Sequence, residues 1–298
     1  MPKVDIHAHI LPELDDGPIS IEESLAMARI AALDGTGAIV ATPHYRDMEL
    51  EDRSPGVVRE MADALNAALQ TETAQGNKLP VRVFTGAVNR LDTSLPALIA
   101  SDNTLTLNRT SFLLVEPPFN RCPPYIEDVL GRLMAQRLVP VIAHPERNVE
   151  FQRNPNRLEN LVNEGILVQL AAGSLTGLHG SNAQNAAEFF LQRGLAHVVA
   201  SEMHNIVEPR SPKLSEAYAM VTDAFNEQEA VNLFQTNPNM ILEGRSPQRE
   251  PVLTPPISRI WTRASRSKIN KLAPQRILNN WRLRLRAIKQ RTGRESTG

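Results

Sequence analysis

Short apolar runs rich in β-branched residues alternate along residues 1–244 with longer segments in which apolar side chains recur every three or four positions. The runs predict seven strands, at Val4–His7, Ala38–Ala41, Val81–Thr85, Phe112–Val115, Val139–Ala143, Leu167–Leu170 and His197–Ala200. The periodic segments predict helices. The first, SIEESLAMARIAALDG, opens with a capping box from Ser20 to Glu23, spaces Ile21, Leu25, Ala28 and Ile30 along the helix, and closes at Gly35. Others are expected over roughly Val57–Leu69, Ile126–Gln136, Arg157–Asn163, Asn185–Gln192 and Leu214–Asn226. Strand and helix in alternation imply parallel pairing through right-handed crossovers, which leaves a doubly wound sheet or a closed barrel.

Polar residues separate these two folds. Almost every expected strand ends in an imidazole or a carboxylate: His7 and His9, His44, Glu116, His144 and Glu146, then Glu202 and His204. Chemistry at the carboxyl ends of many strands is the barrel arrangement. A doubly wound sheet would gather its site at one switch point, and no Gly-rich phosphate loop follows the first strand. The expected fold is therefore α/β, a seven-stranded barrel.

With 42% apolar and 22% charged residues among 298, the chain has a soluble globular composition, and no apolar run approaches the length of a membrane span. The opening MPKVDIHAHI does not resemble a secretory signal, so a cytoplasmic location is expected. The single cysteine, Cys122, excludes an internal disulfide framework; PPYIEDV after it supplies no anion loop, which argues against a cysteine phosphatase. Net charge adds a division of the chain. Residues 245–298 carry 14 Lys and Arg against 2 acids, leaving residues 1–244 at −13. Four prolines in RSPQREPVLTPPISR mark the junction, so an acidic body, 1–244, and a basic extension, 245–298, are expected. Within the extension, residues 275–291 can form a basic amphipathic helix with Ile277, Leu278, Trp281, Leu285 and Ile288 in one stripe. It suits an anionic membrane surface or acidic partner, or equally a helix docked on the acidic body; nucleic acid is disfavoured because no binding motif accompanies the charge.

His7 and His9 lie two apart on a strand, so both side chains share a face and can share an ion. Five of the seven histidines stand at strand ends, in HAH, TPHY, AHPER and SEMHN; His179 and His197 read as ordinary loop and strand residues. Asp15 and Asp16 follow in a turn before Gly17 and Pro18, and Glu116 ends the apolar run FLLV, where a carboxylate needs a cationic partner. Imidazoles and carboxylates without thiolates suit Mn²⁺, Fe or Zn²⁺ in a catalytic site.

VDIHAHILPELDDGP, SIEESLAMARIAALDG, ATPHYRD, LVEPPFN, PVIAHPERN and ASEMHN, in that order, resemble the polymerase and histidinol phosphatase (PHP) superfamily, and within it the metal-dependent protein-tyrosine phosphatases of bacterial capsule and exopolysaccharide operons. The likeness spans about residues 1–244. It implies a distorted seven-stranded TIM-like (β/α) barrel holding up to three metals, usually manganese, that position a hydroxide for attack on phosphotyrosine. By this resemblance His7 and His9 ligate one metal, Glu116 and His144 a second, and Asp16, His44 and His204 a third. Glu202 stands where the family has aspartate beside the first metal, and Arg147 and Arg210 match its phosphate-binding arginines. The family's Gly-x-Glu, whose glutamate bridges two metals, reads GAVNR here and puts Val88 in the bridging place, so fewer metals and a reduced rate are expected. The partner implied is the phosphotyrosine tail of a bacterial tyrosine kinase of polysaccharide export, which would bring the protein to the inner face of the membrane. The alternatives are another PHP-type phosphoesterase acting on small molecules, a nuclease, or a pseudophosphatase that keeps the barrel and binds the kinase.

Overall fold

The structure is a computed structural model that describes residues 1–44, 54–74 and 80–247. In chain order its strands and α-helices are β1 (Lys3–Ala8), α1 (Ile21–Leu33), β2 (Thr36–Ala41), α2 (Pro55–Ala74), β3 (Arg82–Thr85), β4 (Asn89–Arg90), α3 (Leu95–Ala100) and β5 (Phe112–Glu116). They continue with α4 (Ile126–Ala135), β6 (Val139–Ala143), α5 (Val149–Arg153), α6 (Pro155–Asn163), β7 (Leu167–Ala171), α7 (Ala172–Leu175), α8 (Ser181–Gln192) and β8 (Val198–Ala200). Three helices, α9 (Ser215–Ala224), α10 (Glu227–Val231) and α11 (Asn237–Leu242), end the described body. The basic helix expected at 275–291 lies outside the described residues.

All strand pairs are parallel, in a three-stranded sheet ordered β1-β2-β3 and a five-stranded sheet ordered β4-β5-β6-β7-β8. The fold is thus α/β with parallel sheets. Eight strands in two sheets stand where seven in one closed barrel were expected, because the chain between β3 and β4, Gly86–Val88, leaves one ladder before joining the other. Isolated bridges, Ala8 with Met203 and His44 with Val88, join residues that flank the two sheets.

Alternation along the strands sorts their side chains between two environments. Val4, Ile6, Val40, Val88, Phe112, Leu114, Val141, Ala143, Leu167, Val198 and Ala200, drawn from both sheets, form one buried cluster. The intervening Leu113, Val115, Ile142, Val168, Leu170 and Val199 pack with Val129 and Leu133 of α4, Leu158 and Leu161 of α6, and Phe190 of α8. Strands buried on both faces read as continuous apolar runs, which is why the sequence located them. The α1 N-cap is Ser20, whose hydroxyl accepts from Glu23 N at 3.3 Å, while Glu23 Oε2 accepts from Ile19 N at 3.1 Å. Its buried stripe is Ser24, Met27, Ala28 and Ala31, so the expected face through Ile21, Leu25 and Ile30 is rotated; those three are half-buried. The rotation fits Ser24, which returns its hydroxyl to Ser20 O at 3.2 Å and needs no other polar partner.

Candidate metal centre

The carboxyl ends of β1, β2, β5, β6 and β8 and the loops leaving them carry the imidazoles and carboxylates singled out above, and the fold brings them together. His7 and His9 are both buried on the β1 side, with their Nε2 atoms 3.2 Å apart. Each ring is held from behind. His7 Nδ1 lies 2.9 Å from Gln169 Oε1, and His9 Nδ1 lies 2.6 Å from Asp15 Oδ2. Oxygens that only accept require the proton on Nδ1, which leaves two Nε2 lone pairs facing each other. Two lone pairs at that distance repel unless a cation lies between them.

Around this pair the others fall into two overlapping halves. One ligand atom from each of His9, Asp16, His44 and His204 lies within 4.8 Å of the rest, and the rings of His9 and His204 stack at 3.8 Å. Asp16, His44 and His204 were expected together; His9 joins them. On the other side His7 stacks on His144 at 5.5 Å, and His144 Nε2 is 3.0 Å from Glu116 Oε1 and 3.9 Å from Glu202 Oε1. Glu116 spans the halves, its Oε2 being 3.9 Å from His44 Nδ1. Oε2 of Glu202 is buried with no hydrogen-bond partner among the described residues, while Nε2 of His144 and of His204 face carboxylate oxygens, Glu116 Oε1 at 3.0 Å and Asp16 Oδ1 at 3.3 Å. Buried polar atoms are costly to leave orphaned, and the donor set fits a divalent cation. Two of these residues, His144 (φ 32°) and Glu202 (φ 55°), also adopt left-handed backbone, where non-glycine residues store strain and functional sites concentrate it.

Electrostatics puts the groups in their ligating forms. Burial, then the fields of His9 and His144, holds His7 well below its ordinary value; burial likewise draws His9 to about 4 against the pull of Asp15. Both are neutral imidazoles at pH 7. Burial would raise Glu116, but the neighbouring His144, with His44 and His7, outweighs it and draws the carboxyl to about 2. Glu202 is held down in spite of burial by His144 and Arg147, and Asp16 by His204 and Arg210. His144 alone is raised: burial opposes the change, and the negative Glu202 and Glu116 prevail. A proton held there would be released on metal binding.

Both arginines reach the cluster. Arg147 pairs with Glu202 rather than with its neighbour Glu146, and Arg210 Nη1 binds Asp16 Oδ2 at 2.8 Å. Glu146 is fully buried and accepts from Ala171 N at 3.0 Å. Val88 is buried in the apolar cluster and brings no oxygen. Asn89 does not replace it: its amide donates to Ala87 O, Leu105 O and Leu114 O, and its oxygen accepts from Thr104. Asp92 instead accepts from the backbone N and the hydroxyl of Ser94. Cys122 is buried, and burial pushes its thiol up to about 12, so it carries no thiolate at neutral pH.

Two residues of the centre were not assigned a role from sequence. Asp15 holds His9, accepts from His44 N at 2.9 Å and closes the turn through Gly17 N at 3.0 Å. Gly17 is required there, since a Cβ would lie 2.7 Å from His9 O. The adjacent DDG was the available signal. Gln169 left none, because its partner is 162 residues away. No helix among the described residues is long and apolar enough to cross a membrane.

The family described as capsular polysaccharide synthesis, CpsB/CapC, matches residues 3–243. The tyrosine-protein phosphatase YwqE of Bacillus subtilis (strain 168) is 35% identical over 248 residues, 83% of this chain and 94% of its own. The tyrosine-protein phosphatase CpsB of Streptococcus agalactiae serotype III is 27% identical over 245 residues, 80% of this chain and 98% of its own. A crystal structure from work on YwqE and on CpsB of Streptococcus pneumoniae, described as metal-dependent tyrosine phosphatases, superposes with a TM-score of 0.78 at 34% identity, covering 85% of this chain and 98% of that one. The lactonase Lmo2620 of Listeria monocytogenes, at 13% identity and a TM-score of 0.52, shares the fold alone.

Proposed function

The chain belongs to the CpsB/CapC capsular polysaccharide synthesis family, and from that premise we propose that it is a metal-dependent tyrosine-protein phosphatase, a phosphoric monoester hydrolase. The observation that carries this reading is the pair of Nε2 lone pairs of His7 and His9 converging inside a ring of ionised carboxylates. We assign His7, His9, Asp16, His44, Glu116, His144, Glu202 and His204 as metal ligands, with Asp15 and Gln169 fixing the tautomers of His9 and His7. Mn²⁺ is the ion we favour, Fe and Zn²⁺ being the other cations this donor set accepts. When bound, the ions supply Lewis-acid neutralisation of phosphate charge and acidify water.

The chain's own residues do the rest. Arg147 and Arg210 give up Glu202 and Asp16 to clamp the phosphate oxygens, bidentate where the fork allows. Attack on phosphorus by water breaks the P–O bond to the phenol, whose pKa of about 10 makes its anion a fair leaving group. Glu116, with one oxygen toward His144 and the other toward His44, could serve both halves of the cluster in place of the carboxylate that Val88 lacks. We further propose that the two sheets form a distorted barrel, supported by the bridges at Ala8–Met203 and His44–Val88 and by the apolar cluster both sheets share. The substrate we propose is the phosphotyrosine tail of a capsule-operon kinase, and the boundary between catalytic body and basic extension falls near residue 244.

Protein purified without chelator should contain bound divalent metal, lose hydrolysis of a phosphotyrosine peptide in EDTA and regain it in Mn²⁺. Full turnover in excess EDTA would sink the metal reading; bound metal without turnover would leave a pseudophosphatase. With Glu116 bridging, Val88→Glu should carry no more metal than the natural chain, and a higher content would show that the cluster lacks its bridge.

A further inference from the structure

An aromatic ring stands partly bare beside the metal centre. Phe119, three residues beyond Glu116 in the loop between β5 and α4, is 40% exposed. Its ring stacks on His144, centroids 5.4 Å apart and planes 16° apart, and the Arg147 guanidinium carbon lies 4.6 Å from its centroid. The loop is pinned in place. Asn148 Nδ2 donates to Pro118 O at 2.6 Å and Arg121 O at 3.2 Å, Val149 N to Phe119 O at 2.9 Å, and Cys122 N to Glu150 Oε2 at 2.7 Å. Keeping a phenyl group in water beside a polar cluster forgoes the free energy its burial would release, so a fixed, bare ring is poised to contact another apolar surface.

We propose that Phe119 is the specificity-determining contact for the aryl group of the phosphomonoester, its exposed surface packing against the substrate's phenyl ring. The inference rests on the phosphatase reading above. One guanidinium, that of Arg147, is placed both to hold the phosphate and to cover Phe119, so the organic group attached to that phosphate leaves the centre beside this ring. Aromatic pairs prefer offset or edge-on contact and add to the burial of area, enough for about tenfold discrimination between an aryl and a small alkyl group. A serine phosphate, whose ester oxygen is joined to the backbone by a single methylene, has no ring to offer.

Phenylphosphonate and methylphosphonate separate the ring from the phosphate chemistry. Titrated by calorimetry into the full-length chain in Mn²⁺ buffer, phenylphosphonate should bind about tenfold more tightly than methylphosphonate. Phe119→Ala should reduce that preference to about twofold and leave methylphosphonate affinity and metal content unchanged; Phe119→Trp should keep the preference. An unchanged preference in Phe119→Ala overturns the proposal, as does an equal loss of both ligands, which would make Phe119 a prop for His144 and Arg147. Should the natural chain hydrolyse phosphotyrosine peptide yet show no preference between the phosphonates, this inference alone fails. Should it neither hydrolyse the peptide nor bind either phosphonate, the phosphatase reading falls and this inference with it.

Discussion

Replacing Gln169 by Leu removes the oxygen that keeps the His7 proton on Nδ1, so the ring is free to turn and to carry its proton on either nitrogen. Mn²⁺ affinity should drop about 10–100-fold, read by competition with a chromogenic chelator. Unchanged affinity would show that burial alone orients His7. The residues that could be named from sequence were those whose chemistry is unusual for their place: histidines clustered at strand ends, and a carboxylate closing an apolar run. Asp15 and Gln169 are ordinary in a turn and in a strand: DDG marks only the turn for Asp15, and for Gln169 three-dimensional proximity alone gives the task. Val88 is the reverse case, legible because a carboxylate was expected there; the compensation proposed for Glu116 depends on where its two oxygens point, which the sequence does not carry.

At the scale of elements, the short helix α5 organises the wall of the site. Its N-cap, Asn148, accepts from Glu150 N at 2.9 Å and Phe151 N at 3.0 Å while its amide holds the loop of Phe119. Asn148→Ala removes a cap worth about 1 kcal/mol and two buried hydrogen bonds of about 1 kcal/mol each, so urea denaturation should show a loss of about 2–3 kcal/mol. A loss below about 1 kcal/mol would mean that water replaces the amide. This helix was not anticipated, nor were α3, α7, α10 and α11, none longer than six residues. Segments under two turns hold too few apolar positions to establish a period. The longer helices and all seven apolar runs were legible because each repeats its pattern or is buried on both faces. The two-residue β4 belongs with the short helices: its pairing with β5 comes from where the chain turns after Gly86, not from composition.

For the molecule as a whole, charge is divided more sharply than structure requires. Every proposed ligand precedes residue 205, so deleting residues 248–298 should leave hydrolysis of a soluble aryl phosphate within about twofold. Binding to anionic vesicles, if the basic extension provides it, should vanish on deletion and weaken with salt in the full chain. Cosedimentation at two salt concentrations decides this. Equal binding by both proteins would remove the membrane role, and an unfolded truncation would favour a helix docked on the acidic body. The stitching of β1 to the segment after β8, through His9 N to Met203 O, Glu202 N to His7 O and Ser201 N to Asp5, bears on how the protein is made. His7 and His9 leave the ribosome ahead of their partners at 202–204, which follow almost 200 residues later, roughly 10–40 s at ribosomal speed. Throughout that interval β1 has one edge unpaired and the imidazoles have no enclosing carboxylates from the far side. With the proposed ligand set, a cation that meets the nascent chain before that point finds His7, His9, Asp16, His44, Glu116 and His144 but neither Glu202 nor His204, so the proposed cluster closes only when its last strand has been made.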